Sequence, residues 1–316
     1  MLRRTSGSSG GGAGSVGHPD YYYVPHLGSI QSQITLAENA GHNAGWPAWV
    51  VVQENRTENI TLKPGIYVTG GVTSGTRSPI VIDGTVTISP VTGTFQTNKY
   101  SIEKLSFAPT AANSVVLTVS GTNESEIFLS DLTLTTSGTS GAGRCLSVTN
   151  SHADTVVKHQ GDLILNHSGT GWCIECTKAK TSLDRVFSPG PVGTARIANL
   201  GTELKICRGE CTGGVSNATA TFSCEANAKL TIGAVYLKHN NPNQHAIWVG
   251  NGSGGNYSLL YLMGTVFDVT TASGSGLAIA GDSTGNMFHS AGWIEWTDRS
   301  SHGVYNYPNY GNILAV

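Results

Sequence analysis

From Trp46 onward, apolar residues alternate with hydroxyl, amide and charged residues over short runs, which is the period of a half-buried strand. The first runs are Trp49-Val50-Val51-Val52, Asn59-Ile60-Thr61-Leu62 and Gly65-Ile66-Tyr67-Val68, with Pro79-Ile80-Val81-Ile82 and Thr85-Val86-Thr87-Ile88 after them. Turn residues such as Lys63-Pro64-Gly65 and Asp83-Gly84 separate them. Residues 29–40 carry a different period. Ile30, Ile34 and Ala37 share one face of a helix that Ser29 would cap and Gly41 would end. No segment after residue 41 holds that helical period.

Beyond Tyr100 two series of strands interleave. The first contains Ile102–Phe107, Ile127–Leu134, Gly161–Leu165, Lys229–Leu237, Leu262–Phe267 and Trp293–Trp296. The second contains Val116–Val119, Cys145–Val148, Trp172–Cys176, Thr221–Cys224, Ala246–Val249 and Leu277–Ile279. Members mostly recur every 20 to 31 residues, with one gap near residue 200 in each series. A repeat of that length with two or three strands per unit predicts stacked coils. Aligning the second series gives two inward columns, Leu146-Ile174-Phe222-Ile247 and Val148-Cys176-Cys224-Val249, both apolar. Ser147, Glu175, Ser223 and Trp248 lie between them and are expected to face out. The expected fold class is therefore all-β, a right-handed parallel β-helix over residues 29–316 with a short N-terminal capping helix. A β-sandwich would need hairpin links, and the connections here are too long and irregular.

Residues 1–28 lack periodicity, and residues 6–17 are nearly all Gly, Ser and Ala. They are expected to form a flexible anchoring arm. Within it, Tyr21-Tyr22-Tyr23-Val24-Pro25 is an adhesive apolar patch that should pack on this protein or on a partner. Composition narrows the function. Charged residues are only 12 % of the chain and the net charge is −2, so nucleic-acid binding is not expected. No apolar run is long enough for a membrane-spanning helix. Met-Leu-Arg-Arg is not followed by an apolar stretch, so no signal peptide is expected.

The helix, Trp49-Val50-Val51-Val52, Ile60-Thr61-Leu62 and Pro64-Gly65-Ile66-Tyr67 together resemble the opening coils of pectin-lyase-like right-handed β-helices. That superfamily includes polysaccharide lyases, glycosidases and many phage tailspikes. The resemblance implies a helix that covers the first coil and its open sheet edge. The superfamily's catalytic signatures are missing. No Asn-Thr-Asp strand, Asp-Asp pair or Gly-His-Gly turn occurs. Arg196-Ile197-Ala198-Asn199 matches only the first two residues of an Arg-Ile-Lys strand, and no run of aspartates offers a calcium site. No catalytic residue, metal or cofactor is therefore assigned.

The remaining candidates are weaker. Glu175 could pair with Asp162, Asp184, Glu203 or Glu225 across coils, since glycoside cleavage needs two carboxylates about 5 to 9 Å apart. Solvated or turn-capping acids are the competing expectation. Cys173 and Cys176 form a Cys-X-X-Cys, but within a strand residues three apart point to opposite faces, which suits neither zinc nor redox chemistry. Cys145 and Cys173 are expected in an outer column, Cys176 and Cys224 in the core, and Cys207 and Cys211 in a loop that could close a small disulfide. Trp293, Trp296, Tyr305, Tyr307 and Tyr310 could stack on sugars, contact a subunit or plug the last coil.

A solenoid with a sticky arm and no catalytic signature is expected to be a non-enzymatic virion structural protein, a capsid decoration protein on the particle surface. Its partners would be the major capsid protein or a tail component, reached through the arm. By analogy with similar phage proteins it would be a homotrimer. The alternatives are a tailspike or receptor-binding protein that binds a host surface glycan, and a free polysaccharide lyase or glycoside hydrolase.

Overall fold

The computed structural model describes residues 20–71, 79–94, 96–138, 140–189, 193–197, 202–213, 220–239, 245–250, 258–269, 279–281, 287–290, 295–296 and 314–315. Its helix is Ile30–Asn39, with Ile30, Ile34 and Ala37 buried against the first coils. The Ser29 hydroxyl accepts from the Ser32 N–H at 3.1 Å. At the other end Gly41 adopts φ +90°. The N–H groups of Gly41 and His42 then return to the carbonyls of Glu38 and Ala37, the paired bonds that close a helix on a left-handed residue.

The remaining elements stack into a parallel β-solenoid of about eight turns. One long sheet runs from Asp20–Tyr23 through Ala48–Val52, Ile66–Gly70, Lys99–Phe107, Glu126–Thr136, Val156–His167, Lys180–Ser188, Glu203–Gly213 and Lys229–His239 to Leu259–Leu262 and beyond. Among the described residues a second sheet holds nine shorter strands, from Ile60–Thr61 to Ile279–Gly281. Every strand pairing is parallel, as required when each turn stacks on the one before at about 4.8 Å.

The register confirms the inward columns and extends them. Leu146, Ile174, Phe222 and Ile247 align with Ile60, Val86, Leu117 and Ala195. Val148, Cys176, Cys224 and Val249 align in the neighbouring column, and all four are buried. The gap near residue 200 is filled by a full turn with the strands Ala195–Ile197 and Glu203–Gly213. In the long sheet a third column reads Val50, Val68, Ile102, Leu129, His159, Leu183, Ile206, Ile232 and Leu262. A single imidazole thus interrupts a stack of aliphatic side chains.

The long strands bend at their middle. Lys104, Asp131 and Gly161 take positive φ at successive turns, and the pairing shifts register between His159 and Asp162. Such an extra residue turns a strand sharply without ending it, so one strand covers two walls of the coil.

Residues 20–28 belong to the solenoid and not to a free arm. Asp20–Tyr23 pairs in parallel with Ala48–Val52, Tyr22 packs against the core, and Val24 is buried. The Gly- and Ser-rich residues 6–17 lie outside the described residues.

Candidate functional site: acids paired across the coils

Glu175 is outward, as its place between two buried neighbours requires. It stands in register with Ser147 on one side and Arg196 on the other. Arg144 donates Nε–H to the Glu175 carboxylate at 3.0 Å and its Nη1 to the carbonyls of Gly141 and Gly143. Arg196 in turn donates to Glu225 at 3.2 Å. The outer face of the short sheet therefore carries an alternating line of half-buried charges, Arg144, Glu175, Arg196 and Glu225. Ser147 and Ser223 also point outward, yet both are buried; Ser223 donates its hydroxyl to Glu225. Trp248 faces out in the next turn and stacks on His245 at 5.6 Å.

The other expected partners of Glu175 lie on the long sheet. Asp162 pairs with Arg185, Asp184 with Arg208 and Glu203 with Lys229. Only Glu225 shares the sheet of Glu175. Cross-coil stacking thus supplies each acid with a cation from an adjacent turn.

The bend of the long sheet gathers a group that the linear sequence conceals. The Asp131 carboxylate accepts from the Asp162 N–H at 3.1 Å, and the Asp184 carboxylate accepts from the Gly161 N–H at 3.3 Å. Carboxylates from the turns before and after therefore hold the two N–H groups that the bulge strips from the ladder. Arg208 grips Asp184 with Nε and Nη2 at 3.1 and 3.0 Å. That fork holds the Asp184 carboxyl below the usual range, with the Gly161 N–H adding to it. A general acid needs the opposite shift. Behind this group lies His159, 5 % exposed. Burial lowers its pKa, although the Asp162 backbone and the charges of Asp131, Asp184 and Asp162 oppose that shift. Among the described residues no cluster of His, Cys, Asp or Glu has the geometry to hold a metal ion.

The cysteines correct two expectations. Cys145 and Cys173 are in the core and not in an outer column. The N–H groups of Cys145 and Leu146 both donate to the Cys173 carbonyl, so the chain bends there and two consecutive side chains turn inward. Cys207 and Cys211 lie in the continuous strand Glu203–Gly213 and not in a loop. Both thiols are free, Cys211 in the core and Cys207 half-buried. Cys176 and Cys224 are core thiols, each pushed up to about 12 by burial.

Of the C-terminal aromatics, Trp293, Tyr305, Tyr307 and Tyr310 lie outside the described residues. Trp296 is placed only as part of the strand Glu295–Trp296. No family model, curated protein or solved structure matches the chain.

Proposed function

We propose that this chain is a non-catalytic structural protein of a virus particle, a β-solenoid that decorates the particle surface. The observation that carries the proposal is the pairing of Glu175, Glu225, Asp162, Asp184 and Glu203 with cations of adjacent turns. These acids act as rungs that fasten one turn to the next, and hydrolysis has no free pair among them. The resemblance of residues 29–71 to the opening coils of pectin-lyase-like β-helices supports a place among phage proteins. The particle side would be reached through the N-terminal end, with the major shell protein as partner, and three copies would associate. Quantitative peptide mass spectrometry against the major shell protein tests this. Hundreds of copies per particle are expected. A few to a few tens would make the chain a tail-borne receptor binder, and absence from particles would overturn both. On the enzymatic side, Glu175→Gln should leave every polysaccharide substrate as intact as the wild type does. Wild-type release of reducing ends or unsaturated sugars, abolished by this variant, would refute the non-catalytic assignment.

A further inference from the structure

The outward positions of the long sheet change character at its N-terminal end. Tyr21, Trp49 and Tyr67 occupy one outward column on three successive strands. Ser101 follows in the same column, and then Phe128. Tyr23 stands beside Tyr21 on the same face. Tyr21 and Tyr23 are each 57 % exposed, with ring centroids 6.5 Å apart and planes only 27° from parallel. Trp49 meets Tyr67 edge to face at 5.2 Å. Further along, the column turns polar, with Lys158, Ser182, Lys205 and Thr231.

We infer that this aromatic ridge is a carbohydrate-binding site, which takes a linear chain of pyranose rings laid along the solenoid axis. The register places an aromatic side chain at three successive steps of about 4.8 Å, Tyr21, Trp49 and Tyr67, so up to three successive sugars meet rings. A pyranose presents a C–H face that stacks on an aromatic face, and its hydroxyls need partners at the rim. The rim has them. Thr69 and Glu103 follow Tyr23 and Val51 in the adjoining outward column. On the other flank is Glu126, bridged to Lys158 at 2.8 Å; burial, and after it the Glu126 charge, disfavours ionisation of Tyr67. Among the described residues the ridge carries no arginine, and the aliphatic Val51 beside it is buried. Protein-binding hot spots ordinarily include arginine among their aromatics. The lysines of the Glu126 flank, Lys99 and Lys158, are both engaged by Glu126, so they do not form the row of free cations that the phosphates of a nucleic acid would need. The inference holds whether the protein sits on a shell, on a tail or on neither.

The test uses the full chain on an array of immobilised hexasaccharides of glucose, galactose, N-acetylglucosamine and rhamnose. Titration of the bound sugar then follows, read by tryptophan fluorescence. Saturable binding is expected. Trp49→Ala should weaken it roughly tenfold, the equivalent of about 1.4 kcal/mol. The double variant Tyr21→Ser with Tyr23→Ser should weaken it several-fold; because those rings are more than half exposed, folding is preserved. Glu210→Gln, at an exposed position further along the sheet, should bind like the wild type. The inference is overturned by three outcomes. One is no binding to any sugar of the array, and another is binding that the ridge variants leave intact. The third is self-association that the tyrosine variants abolish, which would make the ridge a contact between copies of this chain.

Discussion

Replacing Glu58 by glutamine tests how the capping helix is fastened to the solenoid. The helix has no acidic residue in its own first turn. Glu58, from the coil beneath, fills that role. Its carboxylate accepts from the Ile30 N–H at 2.6 Å, the Gln31 N–H at 3.1 Å and the Ser29 hydroxyl at 2.7 Å. With the Ser32 N–H on Ser29, the first helical donors are all accounted for. Ile30 uses one carboxylate oxygen, while Gln31 and Ser29 share the other. Glutamine keeps the shape but offers one acceptor oxygen, so an NH2 must face a donor. A charge-assisted bond contributes about 1.5–3 kcal/mol, and the lost charge at the helix N-terminus a further 0.3–1 kcal/mol or so. Water reaching this half-buried site recovers part of that. A net loss of about 2–3 kcal/mol corresponds to a roughly thirty- to hundred-and-fifty-fold rise in the opening equilibrium of the cap. Hydrogen exchange reads it directly: amides of Ile30–Asn39 should exchange faster by that factor. Amides of Lys180–Ser188 and Glu203–Gly213 should not change, because stacked repeats couple mainly to their neighbours. Unchanged exchange in the helix, or an equal rise in every strand, would refute the reasoning.

Other outcomes follow from the core and the bend. Unfolded histidine binds a proton below about pH 6.5, whereas burial opposes protonation of native His159 and His167. Their contribution is therefore complete above pH 6.5 and fades as the pH falls from there toward the lowered native values. Tm should drop between pH 7.5 and 5, and His159→Leu, which completes the aliphatic column, should raise Tm and flatten that slope; an unchanged slope would remove His159 as the cause. Gly161 has φ +80°, and a Cβ there would lie 2.1 Å from Asp131 Oδ1. Gly161→Ala should cost at least about 2 kcal/mol in denaturant unfolding, and a neutral result would contradict the clamped bend. A thiol reagent should titrate only the half-buried Cys207 among the six free cysteines of the native protein, and all six in denaturant. Rapid native reaction of a second thiol would place a core cysteine at the surface.

The apolar columns were legible because an inward face must be apolar at every second residue, and Leu146, Ile174, Phe222 and Ile247 satisfy that over four strands. The turn at Ala195–Ile197 escaped notice because its inward alanine is small and the described strand is only three residues long. The bends were hidden because Lys104 and Asp131 adopt a left-handed conformation without being glycines. Cys145 and Cys173 were misplaced for a related reason: two consecutive inward residues break the alternation on which the prediction rests. The candidate acids could be named from sequence, but their fates could not. Glu175 meets Arg144, 31 residues away, and Asp184 meets Arg208, 24 away, and only the stacking register specifies such pairs.

The docking of Asp20–Tyr23 also decides how the protein bears load. The strand lies across the solenoid axis, and its hydrogen bonds to Ala48–Val52 point along that axis. Behind it Arg56 donates to the carbonyls of Pro25 and Gly28, both at 2.8 Å, and pins the turn into the helix. A pull on Asp20 along the strand shares the force among all of those bonds at once. The same pull directed along the axis would open them one after another, like a zipper. The first strand is thus a tether point whose strength depends on direction, firm against sideways drag and yielding to tension along the solenoid.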